Sequence, residues 1–415
     1  MSLKAFFSAI FGAAVTLQLL ILANMSYLYG SAYHDGSRYS TMKLLYVDYD
    51  QGPIGESVMT AYNSLKGPSF PTLIHQSQEN YPTQLHVQQA VCAGEYWGAI
   101  YSTQNASSRL SAALSSSEVA QNYDSSQALR YIWSSTRYPA YAQGVFSNLV
   151  QITEATAAVY KNTNGTDILP LINTSDPFIA RTILDPISSI STDLNPMSQG
   201  VRFYYNTVSM VMPIIIQFFF VMALNGITMQ NDLFTKLSPK QNLLLRFSIS
   251  IIYTFIASLV MTGYLWAFRE DWQVTGNQFA LTWMAIWLAM HIHFLLIDFT
   301  TAIIPMPFIP YFILTWIILN VTSTIGPFEQ SPGFYRLGYV FPAHGLYEVL
   351  LDIWTHGCNP HLYRALPILF AEWFVGIVSF VLGMGKRMEV KLGSVIQKHR
   401  TSHQTTGSSV VEQKV

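Results

Sequence analysis

From residue 207 onward the chain alternates between long apolar runs and short polar breaks. The first of these runs, 207–228 (TVSMVMPIIIQFFFVMALNGIT), carries no charge. It is long enough to cross the hydrocarbon core of a bilayer as one helix, which takes about 20 residues. Four more runs follow at 244–268, 279–304, 308–326 and 366–385, and one stands alone at 5–29. The pattern predicts six transmembrane helices. For 5–29 two readings compete. A cleaved signal peptide has an apolar core of roughly 7–15 residues and small residues at the cut, for which Gly30 and Ala32 are available. The longer run fits a full span better, so the expectation is an uncleaved anchor helix over 1–30.

Between the lone run and the cluster lies a polar region, 31–206, in which no stretch is apolar enough to span. Short β-rich runs bounded by turn residues occur at 43–48 (KLLYVD), 72–75 (TLIH) and 96–101 (YWGAIY), and such runs read as strands. Helical patterns lie at 54–65, 81–93, 108–114 and 125–159. Strands alternating with helices predict an α/β layer, a small sheet with helices on one face. The remaining organisation is a five-helix membrane domain over 207–385, with a long loop at 327–365, and a disordered basic tail over 386–415. Within the loop, 341–354 is amphipathic, with Leu346, Val349, Leu350 and Ile353 opposite Glu348 and Asp352. Such a helix lies along a membrane interface, dips back into the bundle, or packs against the polar domain.

Composition supports the membrane reading: 50% of residues are hydrophobic and 11% charged, against about 25% charged in a soluble domain. The net charge of −1 gives no basic surface for nucleic acid. Two cysteines do not make a structural zinc site, which takes about four ligands. The sequence has no Walker A run, GxSxG, HExxH or GxGxxG, so neither cofactor nor enzymatic activity is expected.

Charge also sets an orientation. Lys4, Lys236, Lys240 and the basic tail fall on one side of a six-span layout, and basic residues near spans favour the cytoplasm. Both termini are then cytoplasmic, and 31–206 and 327–365 face outward together. Three N-x-S/T sequons, at Asn105, Asn164 and Asn173, lie in that outward region, as glycan acceptors require. Cys92 and Cys358 are outward too. A disulfide joining them is the expectation in an oxidising compartment, with two separate thiols as the alternative.

Several polar residues interrupt the spans. His291, His293 and Asp298 fall in the fourth, and His291 and Asp298, seven apart, share a helix face. Ionisable groups at this depth usually face a bundle interior or a water cavity. They read either as a proton- or substrate-coupling set or as polar contacts between helices, with Asp298 near the cytoplasmic interface as a further alternative. Gln217, Asn225 and Glu372 read as helix–helix polar contacts. The acids Asp48, Asp50 and Glu56 lack the order of a calcium loop and read as a strand end and a helix start.

Three stretches carry a resemblance: 44–55 (LLYVDYDQGPIG), 91–101 (VCAGEYWGAIY) and 335–348 (YRLGYVFPAHGLYE). With the layout of one span, a large outward domain and five spans, the chain resembles the fungal nitrosoguanidine-resistance membrane proteins, the group with the DUF3533 domain. More distantly it is similar to the membrane domain of ABC-2 exporters and to the YhgE/Pip phage-infection proteins. The resemblance implies an ABC-2-exporter-like architecture and a plasma-membrane protein. It implies export of toxic amphipathic compounds, resistance to them, or organisation of membrane lipids, with no ATPase in this chain. The alternative is a non-transporting scaffold or regulator acting through the outer domain. The implied partners are the bilayer, a second copy as a homodimer, and a separate ATPase or membrane partner docking at the Lys236/Lys240 loop.

Overall fold

A computed structural model describes residues 3–168, 175–359 and 361–411. The order is α1 (Leu3–Ser31), β1 (Lys43–Asp48), α2 (Pro53–Leu65), β2 (Thr72–Gln76), α3 (Gln84–Cys92), β3 (Gly98–Ser102), α4 (Ala106–Ser115), α5 (Ser117–Gln121), β4 (Leu129–Trp133), α6 (Pro139–Ile168), α7 (Pro177–Leu184) and β5 (Ser189–Asp193). Then come α8 (Val208–Gln230), α9 (Leu233–Lys236), α10 (Pro239–Ala267), α11 (Gly276–Ile303), α12 (Ile309–Ile325), α13 (Pro342–Trp354) and α14 (Leu362–Val411). Six helices among the described residues are long and apolar enough to cross a membrane: α1, α8, α10, α11, the Met306–Ile325 segment containing α12, and Leu362–Glu389 of α14. The chain thus has the make-up of a multi-pass membrane protein.

The strands form one sheet in the order β2-β1-β3-β4-β5. All neighbours are parallel except β3 and β4. The run 125–159, expected to be helical throughout, contains β4, and α6 starts only at Pro139. Pairing of 129–133 against β3, with Ile100 opposite Tyr131, overrides a local pattern that also suited a helix. The polar strand β5, SISTD, has no apolar signal and is set by pairing alone.

Helices cover both faces of the sheet, not one. Leu44, Tyr46 and Ile100 join a core with Val58 of α2 and Val145 and Leu149 of α6. Leu45, Val47, Ala99 and Tyr101 pack with Val87 and Val91 of α3. The four consecutive buried residues of β1 are what a strand buried on both faces requires. The acids after β1 fix the turn. Asp48 accepts from the backbone N–H of Asp50 and Gln51, and Asp50 accepts from the backbone N–H of Ser107 at the start of α4.

In the bundle, α11 is central: 61% of its apolar window is buried, against none of α1's. It packs against α8, α10, α13 and α14, while α1 leans on α12, where Asn24 donates to Thr315 Oγ1 at 3.1 Å. Both α10 and α11 open on capping boxes, Ser238 with Gln241 and Thr275 with Gln278, which satisfy the first free N–H groups. The last helix does not end at Lys386-Arg387 as expected but runs to Val411. Lys and Arg are good helix formers; the charge pair ends the membrane-compatible stretch, not the helix.

Candidate functional site

Two polar centres are built on the bundle. The first lies inside it. Asp298 of α11 is fully buried, and its carboxylate pairs with Arg246 of α10 and Arg387 of α14. Arg246 Nε donates to Oδ1 at 2.8 Å and Arg387 Nη1 to Oδ2 at 2.8 Å. Arg387 also donates to the Asp298 carbonyl and to Thr301 Oγ1, each at 2.6 Å. Asn225 of α8 accepts from Arg246 and donates to Thr301 Oγ1. Three helices therefore meet on one carboxylate, and Asn225 ties a fourth, α8, to Arg246 of α10 and Thr301 of α11.

His291, two turns away on α11, belongs to a different set. The Trp373 indole N–H donates to its Nδ1 at 2.8 Å, and its Nε2 lies 3.0 Å from Ser250 Oγ. An indole N–H only donates, so Nδ1 is an acceptor and the proton sits on Nε2. Ser250 Oγ in turn donates to the Phe247 carbonyl, leaving its lone pairs to His291. His293 is held alike: the Trp316 indole N–H donates to its Nδ1 at 3.2 Å. Both rings are thus held neutral by tryptophan donors. His291 and Asp298 share a helix but are joined by no hydrogen bond among the described residues, so the structure does not assemble them into a coupling pair.

Two other expected contacts are corrected. Gln217 is fully buried, yet neither of its amide atoms has a hydrogen-bond partner among the described residues, and Glu372 keeps one buried, unpartnered oxygen. Gln217 stands between Ile214 and Val221 on α8, whose side chains pack with Phe294 and Leu295 in an apolar core.

The second centre is α13, which sequence reasoning treated as an amphipathic stretch without a fixed place. It is wedged into the mouth of the bundle against α11, α12 and α14. Both its ends are closed by side chains from spans. Asn320 of α12 accepts from the Ala343 N–H at 3.1 Å, and Gln278 of α11 donates to the Ile353 carbonyl at 2.9 Å. Glu348 is its hub. Asn359 Nδ2 donates to Oε2 at 2.8 Å, His361 Nδ1 lies 2.8 Å from the same oxygen, and the Tyr138 hydroxyl reaches Oε1 at 3.4 Å. Burial raises the Glu348 carboxyl, but His361, His344 and Asn359 outweigh it and hold it down at about 2. His344 Nδ1 donates to the Ser323 carbonyl at 3.0 Å, while its Nε2 faces Glu348 Oε1 at 3.8 Å without a hydrogen bond. Burial pushes the His344 imidazole below its usual range, and Glu348 only partly offsets this.

The same helix carries the α/β unit. Tyr138, at the turn into α6, donates its backbone N–H to the Tyr347 hydroxyl at 3.0 Å. It does so from a φ of 49°, an uncommon conformation for a residue with a side chain. Beside it, Cys92 at the end of α3 is bonded to Cys358, just past α13, across a sequence separation of 266. Among the described residues no group of three or more His, Cys, Asp or Glu is placed to hold an ion.

A family model described as "Protein of unknown function (DUF3533)" matches residues 13–378. The chain belongs to this DUF3533 family. No solved structure matches it. The DUF3533 match begins inside α1 and ends inside α14. It takes in the α/β unit, Arg246, Asp298 and the whole of α13, and leaves out Arg387. Of the sequons in this DUF3533 chain, Asn105 is exposed at the start of α4 and Asn164 is partly exposed on α6; Asn173 lies outside the described residues. Lys236 is exposed at the end of α9 and Lys240 in the first turn of α10. The residues that sequence reasoning missed are Arg246, Arg387, Glu348 and His344. Charge parity was an available signal: a lone Asp inside one apolar run, with an Arg near the end of two others, asks for a pairing.

Proposed function

We propose that this DUF3533 protein is an integral membrane protein of the resistance or export type. It acts on toxic amphipathic compounds or on membrane lipids, and draws on no ATPase of its own. The observation that carries this reading is the attachment of the α/β unit to α13. A helix plugging the mouth of the bundle is tied to a large domain by a disulfide and by the Tyr138–Tyr347 and Tyr138–Glu348 bonds. Any displacement of that domain is therefore transmitted to the mouth. On this reading the domain lies outside the plasma membrane. The disulfide supports this, since such bonds persist in oxidising compartments, and the exposed sequon at Asn105 agrees. The Lys236/Lys240 connection then faces the cytoplasm as the docking point for a separate ATPase, and a homodimer is the expected assembly.

His291 and Asp298 are not given a proton-coupling role here, because indole donors occupy the histidines and two arginines occupy the carboxylate. The scaffold reading draws on the same fact: a bundle whose ionisable groups are spent internally also suits a protein that moves nothing. The deciding experiment is efflux of a fluorescent amphiphile, or of a labelled phospholipid, from cells with and without the protein, each with and without a proton uncoupler. Export that depends on the protein and is indifferent to the uncoupler is expected. Export abolished by the uncoupler would return the histidines to a coupling role. No protein-dependent export, with the protein at the cell surface, would favour the scaffold.

A further inference from the structure

The bundle carries a recess in its outer wall that the reading above does not use. It lies at the end away from the α/β unit, between α8, α9, α10 and α14, and encloses about 100 Å³. Ile227 and Leu245 form an apolar rim, 56% and 42% exposed, while Ile249 and Met384 line the interior and Arg246, 4% exposed, lies at its base. Asn242 donates to the Leu233 and Leu237 carbonyls and so holds the α9 connection as one wall.

The charge at the base is not balanced. Arg246 and Arg387 share the single carboxylate of Asp298, and among the described residues no other acid pairs with either. Arg246 spends Nε and Nη2 on Asp298 and Asn225; its Nη1 has no partner among the described residues. A positive surplus in a water-poor site is costly unless an anion completes it. A guanidinium edge is also suited to a phosphate or carboxylate oxygen.

We propose that this recess binds the anionic headgroup of a phospholipid from the surrounding leaflet. A headgroup oxygen meets Arg246 Nη1, and the acyl chains lie outside along Ile227 and Leu245. The volume suits a headgroup oxygen cluster and not a whole lipid. The rim points to the bilayer as the source: its exposed side chains are apolar and stand on candidate spans, where lipid is the neighbour. Exposed Lys236 and Lys240 on the adjoining connection add attraction for the same headgroup. The site is independent of the export reading, since a scaffold would hold the same lipid.

The test uses the full chain in nanodiscs of equal phosphatidylserine and phosphatidylcholine, followed by detergent exchange and a count of retained lipids by mass spectrometry. Phosphatidylserine should be enriched about fivefold, the scale of one cation facing an anionic headgroup. Ile249→Trp, which fills the recess, and Leu245→Trp, which covers its rim, leave the Arg246–Asp298 pair in place. Each should abolish the enrichment while the Tm in pure phosphatidylcholine holds. If one variant misfolds, the other decides. Absence of enrichment in the unaltered protein, or enrichment that survives in a folded variant, would overturn the proposal. So would a recess-dependent rise in Tm with inorganic phosphate but not with phosphatidylserine, which would make the ligand a soluble anion.

Discussion

Asp298 shows how a residue that looks functional in isolation acquires a structural role from its partners. A lone acid in an apolar span suggests proton movement, but here two guanidiniums pair with it, and one of them also donates to the residue's own backbone carbonyl. Asp298→Asn leaves the buried Arg246 and the largely buried Arg387 without their counter-ion. It should lower stability by about 3–5 kcal/mol, the cost of breaking a buried pair from one side, read as a fall in Tm in nanodiscs. Trp373→Phe removes the donor to His291 and some of the ring's packing. It should cost about 1–3 kcal/mol, the penalty of leaving a buried acceptor unpaired, by the same measurement. A loss as large as that of Asp298→Asn would mean that the indole does more than hold the ring.

Element by element, α13 is the piece whose place depends most on others. Its N-terminus is closed by Asn320 and its C-terminus by Gln278, so a short helix is held in a bundle without end groups of its own. Its stability should also depend on pH. His344 has its folded pKa depressed by burial, so the unfolded chain binds the extra proton first. Its contribution is complete above the ordinary histidine value of about 6.5 and is lost as pH falls below it. Glu348 is likewise depressed, from 4.5 to about 2, and its contribution declines as pH falls below 4.5. Acid should therefore loosen α13 in two stages. Thermal unfolding at pH 7.5, 5.5 and 4 should show a falling Tm at each step, and His344→Gln should reduce the first fall, which the buried, neutral His291 and His293 share, and leave the second. A Tm that rises between pH 7.5 and 5.5 would show His344 already bound to Glu348 as a cation.

For the whole molecule, the disulfide is the longest-range constraint. Closing a loop of sequence separation 266 restricts the unfolded chain by about 5.6 kcal/mol in the chain-entropy account. Cys92→Ser with Cys358→Ser should lower the Tm by several degrees and expose the α/β unit to protease before the bundle. Equal proteolysis of the two parts would mean that the Tyr138 contacts suffice alone. Orientation is tested by glycosylation. Endoglycosidase should increase the mobility of the mature protein, and Asn105→Gln should remove part of that shift. A chain that carries no glycan and offers Lys236 to an impermeant outside label would invert the proposed topology.

The sequence by itself determined the six apolar helices, the first three strands, and the separation of a polar α/β region from the bundle. These are local properties: uninterrupted apolar length, and short β-rich runs between turn residues. It did not determine β4 and β5, because LRYIW and SISTD become strands through pairing with neighbours distant in the chain. Nor did it show which polar residues meet. His291 and Asp298 are close in sequence and belong to separate networks, whereas Arg246, Asp298 and Arg387 come from three helices and form one. Only the tertiary structure decided that, since a buried charge is defined by what packs around it. The same holds for α13, whose ends and hub are completed by α11, α12, Tyr138 and the segment that carries Cys358.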